Sequence, residues 1–130
     1  MPLRFVVNGY FRSGTTVVWD IIRRCNPDLV CLYEPCHENL GVHLDHDRGV
    51  ADPLHGADLW ADYRRLTDAH IVGNLVAQRR DLVPRYPLDA GDVSEYVSML
   101  HAEPRQMMAK VNRWHFVLGE LQSRFGYQTV

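Results

Sequence analysis

Gly9-Tyr-Phe-Arg-Ser-Gly14-Thr15-Thr16 follows the run Leu3-Arg-Phe-Val-Val-Asn8, and the junction of the two decides the fold. The G-x4-G spacing is that of a loop that wraps phosphate, which ordinarily continues into Lys-Ser or Lys-Thr. Here the lysine position is Thr15, and a cation stands earlier, as Arg12. The segment before the loop is short, apolar and β-branched, as a buried parallel strand requires. From Thr15 onward the spacing predicts a helix, with Val18, Ile22 and Cys25 at i, i+4 and i+7 and Val17 and Ile21 beside them. Asn26-Pro27 ends it, because proline lacks a donor and biases its predecessor away from helix.

Strand, glycine-bracketed turn and helix start together make an anion site. Backbone N–H groups point outward there, and the helix dipole adds partial positive charge. A lysine in that loop would reach the β and γ phosphates of a triphosphate, and Thr15 cannot supply its charge. Arg12 suits bidentate contact with a single anionic group instead. The competing reading is a glycine-containing strand-to-helix turn with an arginine on its rim.

Arg12-Ser-Gly-Thr-Thr16, then Asn26-Pro-Asp28, then Leu32-Tyr-Glu-Pro35 resemble, in order and spacing, the start of a sulfotransferase that uses 3'-phosphoadenosine 5'-phosphosulfate (PAPS). The likeness is greatest to the carbohydrate branch of that family. The resemblance implies a P-loop NTPase-like three-layer α/β fold, a parallel β-sheet flanked by helices, here cut short at the C-terminus. It implies that Arg12, Ser13, Gly14, Thr15 and Thr16 grip the 5'-phosphosulfate, with PAPS as sulfuryl donor and no metal. Met107-Met-Ala-Lys110-Val-Asn-Arg113 matches a third family block, with K-x-x-R where a strand runs into a helix. Lys110 thereby becomes a catalytic candidate and Arg113 a cofactor-binding one. Lys110 is also the single lysine among fourteen basic side chains.

Leu29-Val-Cys-Leu-Tyr33 is a second apolar strand, and Glu34-Pro35 follows at its C-terminal end, where open parallel sheets bind ligands. Glu34 is a candidate base for the acceptor hydroxyl. The alternative is a carboxylate that pairs with Arg12 or caps the following turn. His37 is a second candidate base, since imidazole titrates near neutrality by nature.

The remaining pattern is coarser. Residues 37 to 57 read as loop, and Leu59, Tyr63 and Leu66 give 57 to 77 a patchy helical character. Arg79 to Gly91 reads as loop, carrying two prolines. Val93, Tyr96, Val97, Leu100 and His101 predict a helix ended by Pro104. Trp114, Val117, Leu118, Leu121 and Phe125 predict another, with Gly126 at its C' position. Tyr127 to Val130 reads as the opening of a further strand. The family's R-D-P-R or R-N-P segment and downstream serine, which bind the 3'-phosphate, do not occur in these residues. The expectation is one incomplete domain, weakly active alone, prone to self-association through an exposed sheet edge.

A net charge of −2 argues against a nucleic-acid surface. No stretch approaches the about 18 apolar residues of a membrane span, and the N-terminus lacks a signal-peptide layout, which together favour a cytoplasmic protein. Cys25, Cys31 and Cys36 are then free thiols. Cys36, His37, His43 and His46 match no zinc spacing, so no metal is expected. The partner is a small-molecule or carbohydrate acceptor. Two other functions stay open: a nucleotide or small-molecule kinase on the same scaffold, and a non-catalytic truncated remnant.

Overall fold

The structure is a computed structural model describing residues 3–9, 14–46, 49–66, 69–82, 90–101, 103–112 and 114–129. Strand β1, Leu3–Asn8, leads through the loop into helix α1, Thr15–Cys25. Strand β2, Val30–Tyr33, is followed by α2, Leu40–His46, and a 3-10 helix, Ala61–Arg65. Helices α3, Ala69–Leu82, and α4, Ala90–Leu100, precede β3, Met107–Val111. Helix α5, Leu118–Phe125, and the two-residue β4, Gln128–Thr129, complete the order. The class is α/β: a four-stranded sheet, order β2-β3-β1-β4, every pair parallel, flanked by helices.

That order has a functional consequence. The connection leaving β1 runs to one side, toward β2, whereas the connection leaving β3 runs to the other, toward β4. Neighbouring strands whose connections diverge open a crevice beyond their carboxyl ends, where ligands bind. Strands β1 and β3 are such neighbours, so the end of β1 at Asn8, the start of α1 and Lys110 to Asn112 meet at the crevice.

All five residues of β3 are buried, together with Val6, Val7, Val30, Cys31 and Leu32 of its neighbours, as expected for parallel strands covered on both faces. The outer edge of β2 is closed by side chains. Asp62 accepts from the Cys31 amide at 2.7 Å, Trp19 Nε1 donates to the Cys31 carbonyl at 3.1 Å, and the Tyr63 hydroxyl donates to the Tyr33 carbonyl at 2.9 Å. Arg65 donates to the Leu29 carbonyl at 3.0 Å. An edge saturated in this way is a poor template for pairing with another chain. Asp62, only 2% exposed, is balanced by Arg23 and Arg65.

The structure corrects four expectations. The buried face of α1 is not the aliphatic Val17, Val18, Ile21, Cys25 side; these residues are exposed, and Trp19 is the one fully buried. Residues 37–57 are not loop throughout, since α2 occupies 40–46 with Leu40 in the core. The helix following Leu66 continues to Leu82, past the expected break at Arg79, and α4 starts at Ala90; residues 83–89 lie outside the described residues. The last helix begins at Leu118 rather than Trp114. Residues 115–117 form a turn that folds buried Trp114 and Val117 against the core before the helix opens. Gly126 does close α5 in the left-handed conformation, φ 70°, its amide bonded to the Gln122 carbonyl.

Candidate functional site

The N-terminal end of α1 is built by Gly14. Its φ of 82° lies in the left-handed region, and its carbonyl accepts from the amides of Val17 and Val18. That geometry leaves the amides of Thr15 and Thr16 ahead of the first helical bond, and no described side chain caps them. Arg12, Ser13 and Arg113 lie outside the described residues.

Parallel register then delivers a cation. Tyr33 of β2 pairs with Lys110 of β3. Directly after it, the Glu34 amide donates to the Lys110 carbonyl at 2.9 Å. Glu34 adopts φ 44°, a left-handed conformation rare for a residue with a Cβ, costing about 1–3 kcal/mol and held only where surroundings enforce it. They do so here. The Glu34 carboxylate accepts from the Lys110 ammonium and from the Asn112 side-chain amide, all three residues being buried. The Lys110 ammonium also sits 4.7 Å from the centroid of the Tyr33 ring, within cation–π range.

Tyr33 links this cluster to the start of α1. Its hydroxyl stands 3.3 Å from Thr16 Oγ1, and its ring meets the edges of Trp19 and Trp60 at 5.3 and 5.4 Å. Gly14, Thr15, Thr16, Val17, Tyr33, Lys110 and Asn112 share the wall of one cleft of about 380 Å³ with Leu54 and His55. The floor of that cleft therefore combines the free amides that open α1 with the Glu34-paired ammonium of Lys110, a donor-rich surface suited to an anion.

The structure thus brings together four of the expected site residues, Gly14, Thr15, Thr16 and Lys110. Glu34 is adjacent but lies behind Lys110 and Asn112 and does not line the cleft. His37 lies elsewhere, its ring 4.8 Å from that of His43 and 5.8 Å from Trp60, with Nδ1 accepting from the Asn39 amide. Among the described residues no group of three or more His, Cys, Asp or Glu is placed to hold a metal ion.

The sequence reading missed three residues. Asn112 was passed over within the Lys110–Arg113 block; its Nδ2 must face the carboxylate, which leaves Oδ1 buried with no partner among the described residues. His55 and Asp52 were set aside as loop. His55 Nδ1 lies 2.7 Å from Asp52 Oδ2, which also accepts from the Leu54 and His55 amides. Burial pushes the Asp52 carboxyl up, but the His55 and Leu54 hydrogen bonds outweigh it and hold the group below its usual range. The i, i+3 spacing in Asp52-Pro-Leu-His55 was the available signal.

No family model matches the chain, and no solved structure matches it. A protein of Archaeoglobus fulgidus described as uncharacterized is 29% identical over an alignment that covers 95% of this chain. That alignment takes in 42% of the archaeal protein, so the chain spans less than half of its relative's length.

Proposed function

We propose that the protein binds PAPS and transfers its sulfuryl group to an acceptor hydroxyl. The observation that carries this reading is the position of Lys110. The loop has Thr15 where a lysine belongs, and the single lysine of the chain reaches the same cleft from β3. Lys110 and the Thr15 and Thr16 amides supply positive potential where a phosphosulfate would lie. As the acceptor oxygen bonds to sulfur, the bond from sulfur to the bridging oxygen breaks, and these donors stabilise the charge that collects on the phosphate. Arg12 and Ser13 complete the cradle in this proposal, and Arg113 joins Lys110. Glu34 serves either as base, for a hydroxyl that reaches past Asn112, or as the anchor that fixes Lys110. Its burial and double pairing favour the anchor.

A phosphoryl-transfer enzyme on this scaffold needs a carboxylate at a strand end to hold magnesium. The strand beside β1 ends instead in Lys110-Val-Asn112, a cation and an amide. A non-catalytic role would share the fold without turnover. A cytoplasmic location belongs to the same proposal; among the described residues no helix is long and apolar enough to cross a membrane.

Calorimetric titration of the chain with adenosine 3',5'-bisphosphate and with ATP–magnesium tests the reading. The bisphosphate is expected to bind without metal and at least about tenfold tighter, ~1.4 kcal/mol. Tighter ATP–magnesium binding, or none of the bisphosphate, overturns it.

A further inference from the structure

The turn between Asp52 and Ala57 is built more carefully than a surface loop requires. The Asp52 amide donates to the Ala57 carbonyl at 2.8 Å, and the Gly56 amide donates to the Asp52 carbonyl at 2.7 Å. Gly56 at φ 64° permits the reversal. Within this ring the Asp52 carboxylate takes the amides of Leu54 and His55 and the His55 ring nitrogen Nδ1. An imidazole whose Nδ1 donates to a carboxylate keeps its proton there and presents Nε2 as a lone pair, the arrangement by which a carboxylate readies histidine as a base. His55 does this while forming part of the cleft wall that contains Thr15, Thr16 and Lys110. The same wall carries two large apolar side chains left to solvent, Val17 at 56% and Leu54 at 71% exposed. One cleft therefore has a donor-rich floor, an apolar rim and an oriented imidazole.

We propose that this turn is the acceptor half of the site: His55 takes the acceptor's proton, Asp52 positions it, and Leu54 with Val17 seat an acceptor whose hydroxyl stands on an apolar or aromatic body. The inference rests on the sulfuryl-transfer reading. The acceptor oxygen bonds to sulfur and its proton passes to His55 Nε2. The bond from sulfur to the bridging oxygen breaks, and the electron pair leaves with adenosine 3',5'-bisphosphate. No electrons are exchanged with any third component. The exposed Val17 and Leu54 side chains match the apolar face of a phenol better than a polyhydroxylated sugar, whose hydroxyls would lose water against them without gaining a partner.

Two measurements on the full chain test it. Long-range ¹H–¹⁵N NMR of the histidine rings is expected to show His55 with its proton on Nδ1, and Asp52→Asn is expected to move it toward Nε2 at unchanged fold by far-UV circular dichroism. A proton on Nε2 in the parent overturns the dyad. With PAPS and 4-nitrophenol as probe, His55→Gln is expected to lower kcat at least about 100-fold, the lower range for a general base, with the Kd for adenosine 3',5'-bisphosphate within about twofold. Asp52→Asn is expected to lower kcat with little change in KM. Turnover in His55→Gln equal to the parent's overturns the proposal and leaves the sulfuryl-transfer reading standing, as does glucose outperforming the phenol. No transfer by the parent to any acceptor, together with no bisphosphate binding, sinks the reading beneath it, and the acceptor proposal falls with it.

Discussion

At the scale of single residues, the Lys110–Glu34 pair is where stability and site chemistry meet. Both side chains are nearly buried, 3% and 10% exposed. Removing one partner strands the other's charge, which costs about 3–5 kcal/mol, whereas replacing both by neutral groups of similar volume is often close to neutral. Lys110→Met is therefore expected to lose ~3–5 kcal/mol in urea denaturation. The double variant Lys110→Met with Glu34→Gln should return to within ~2 kcal/mol of the parent. If the double variant is no better than the single one, Glu34 is not held mainly by Lys110. Neither variant should bind adenosine 3',5'-bisphosphate at parental strength, since the cleft has lost the Lys110 ammonium in both. The pair was invisible as a pair in the sequence. Each residue stood out alone, Glu34 by its strand-end position and Lys110 by its rarity, but 76 positions separate them. Only the parallel register of Tyr33 with Lys110 makes them neighbours. Asp52 and His55 were hidden for the opposite reason: they are close in sequence, but a segment rich in Asp, His, Gly and Pro offers no periodicity to say that its side chains face a cleft.

At the scale of elements, α1 shows what periodicity can and cannot decide. Its start after Gly14 and its stop at Asn26 follow from backbone chemistry that any reader of the sequence can apply, and Asn26 reinforces the stop by bonding the Ile22 carbonyl at 2.8 Å. The inward face does not follow. Apolar residues at 17, 18, 21, 22 and 25 outnumber Trp19, yet Trp19 lies against the sheet because it alone offers a large area together with a donor. Its Nε1 closes the β2 edge at the Cys31 carbonyl and its ring meets Tyr33. Among the predicted face only Ile22 is packed against the core. The contrast is measurable by chemical denaturation. Trp19→Ala is expected to cost about 3–5 kcal/mol, the range for deleting a buried aromatic side chain. Ile21→Lys, at a position 57% exposed, should stay within about 0.5 kcal/mol of the parent. A larger loss for Ile21→Lys would show that the aliphatic side of α1 is covered in solution.

At the scale of the whole molecule, the sequence made the α/β class legible because β1, β2 and β3 are short apolar runs and helical spacing follows β1 and β3. The strand order was not legible, since no local pattern states that β3 inserts between β1 and β2. That insertion buries β3 completely and with it carries the edge chemistry of β2 inward, where it shapes the global response to pH. The Cys31 thiol is pushed from the ordinary value of 9.0 to about 12, first by burial and then by the Asp62 carboxylate, with Arg23 and Arg65 offsetting part. Burial also raises the Tyr63 and Tyr127 hydroxyls. In each case the folded chain keeps a proton that the unfolded chain releases. The stability linked to it is fully present below the unfolded value and is lost as pH rises toward the folded one. For Cys31 the window opens near pH 9, with a slope of about 1.4 kcal/mol per pH unit for one proton. Urea denaturation from pH 8 to 11 should then show stability falling with a steepening slope above pH 9, as the tyrosines join. Cys31→Ala will be less stable throughout, because a buried side chain is shortened, but its curve above pH 9 should be flatter by up to one proton. Parallel curves for parent and variant would mean that Cys31 titrates alike folded and unfolded, and that the β2 edge is wet rather than sealed by Asp62 and Trp19.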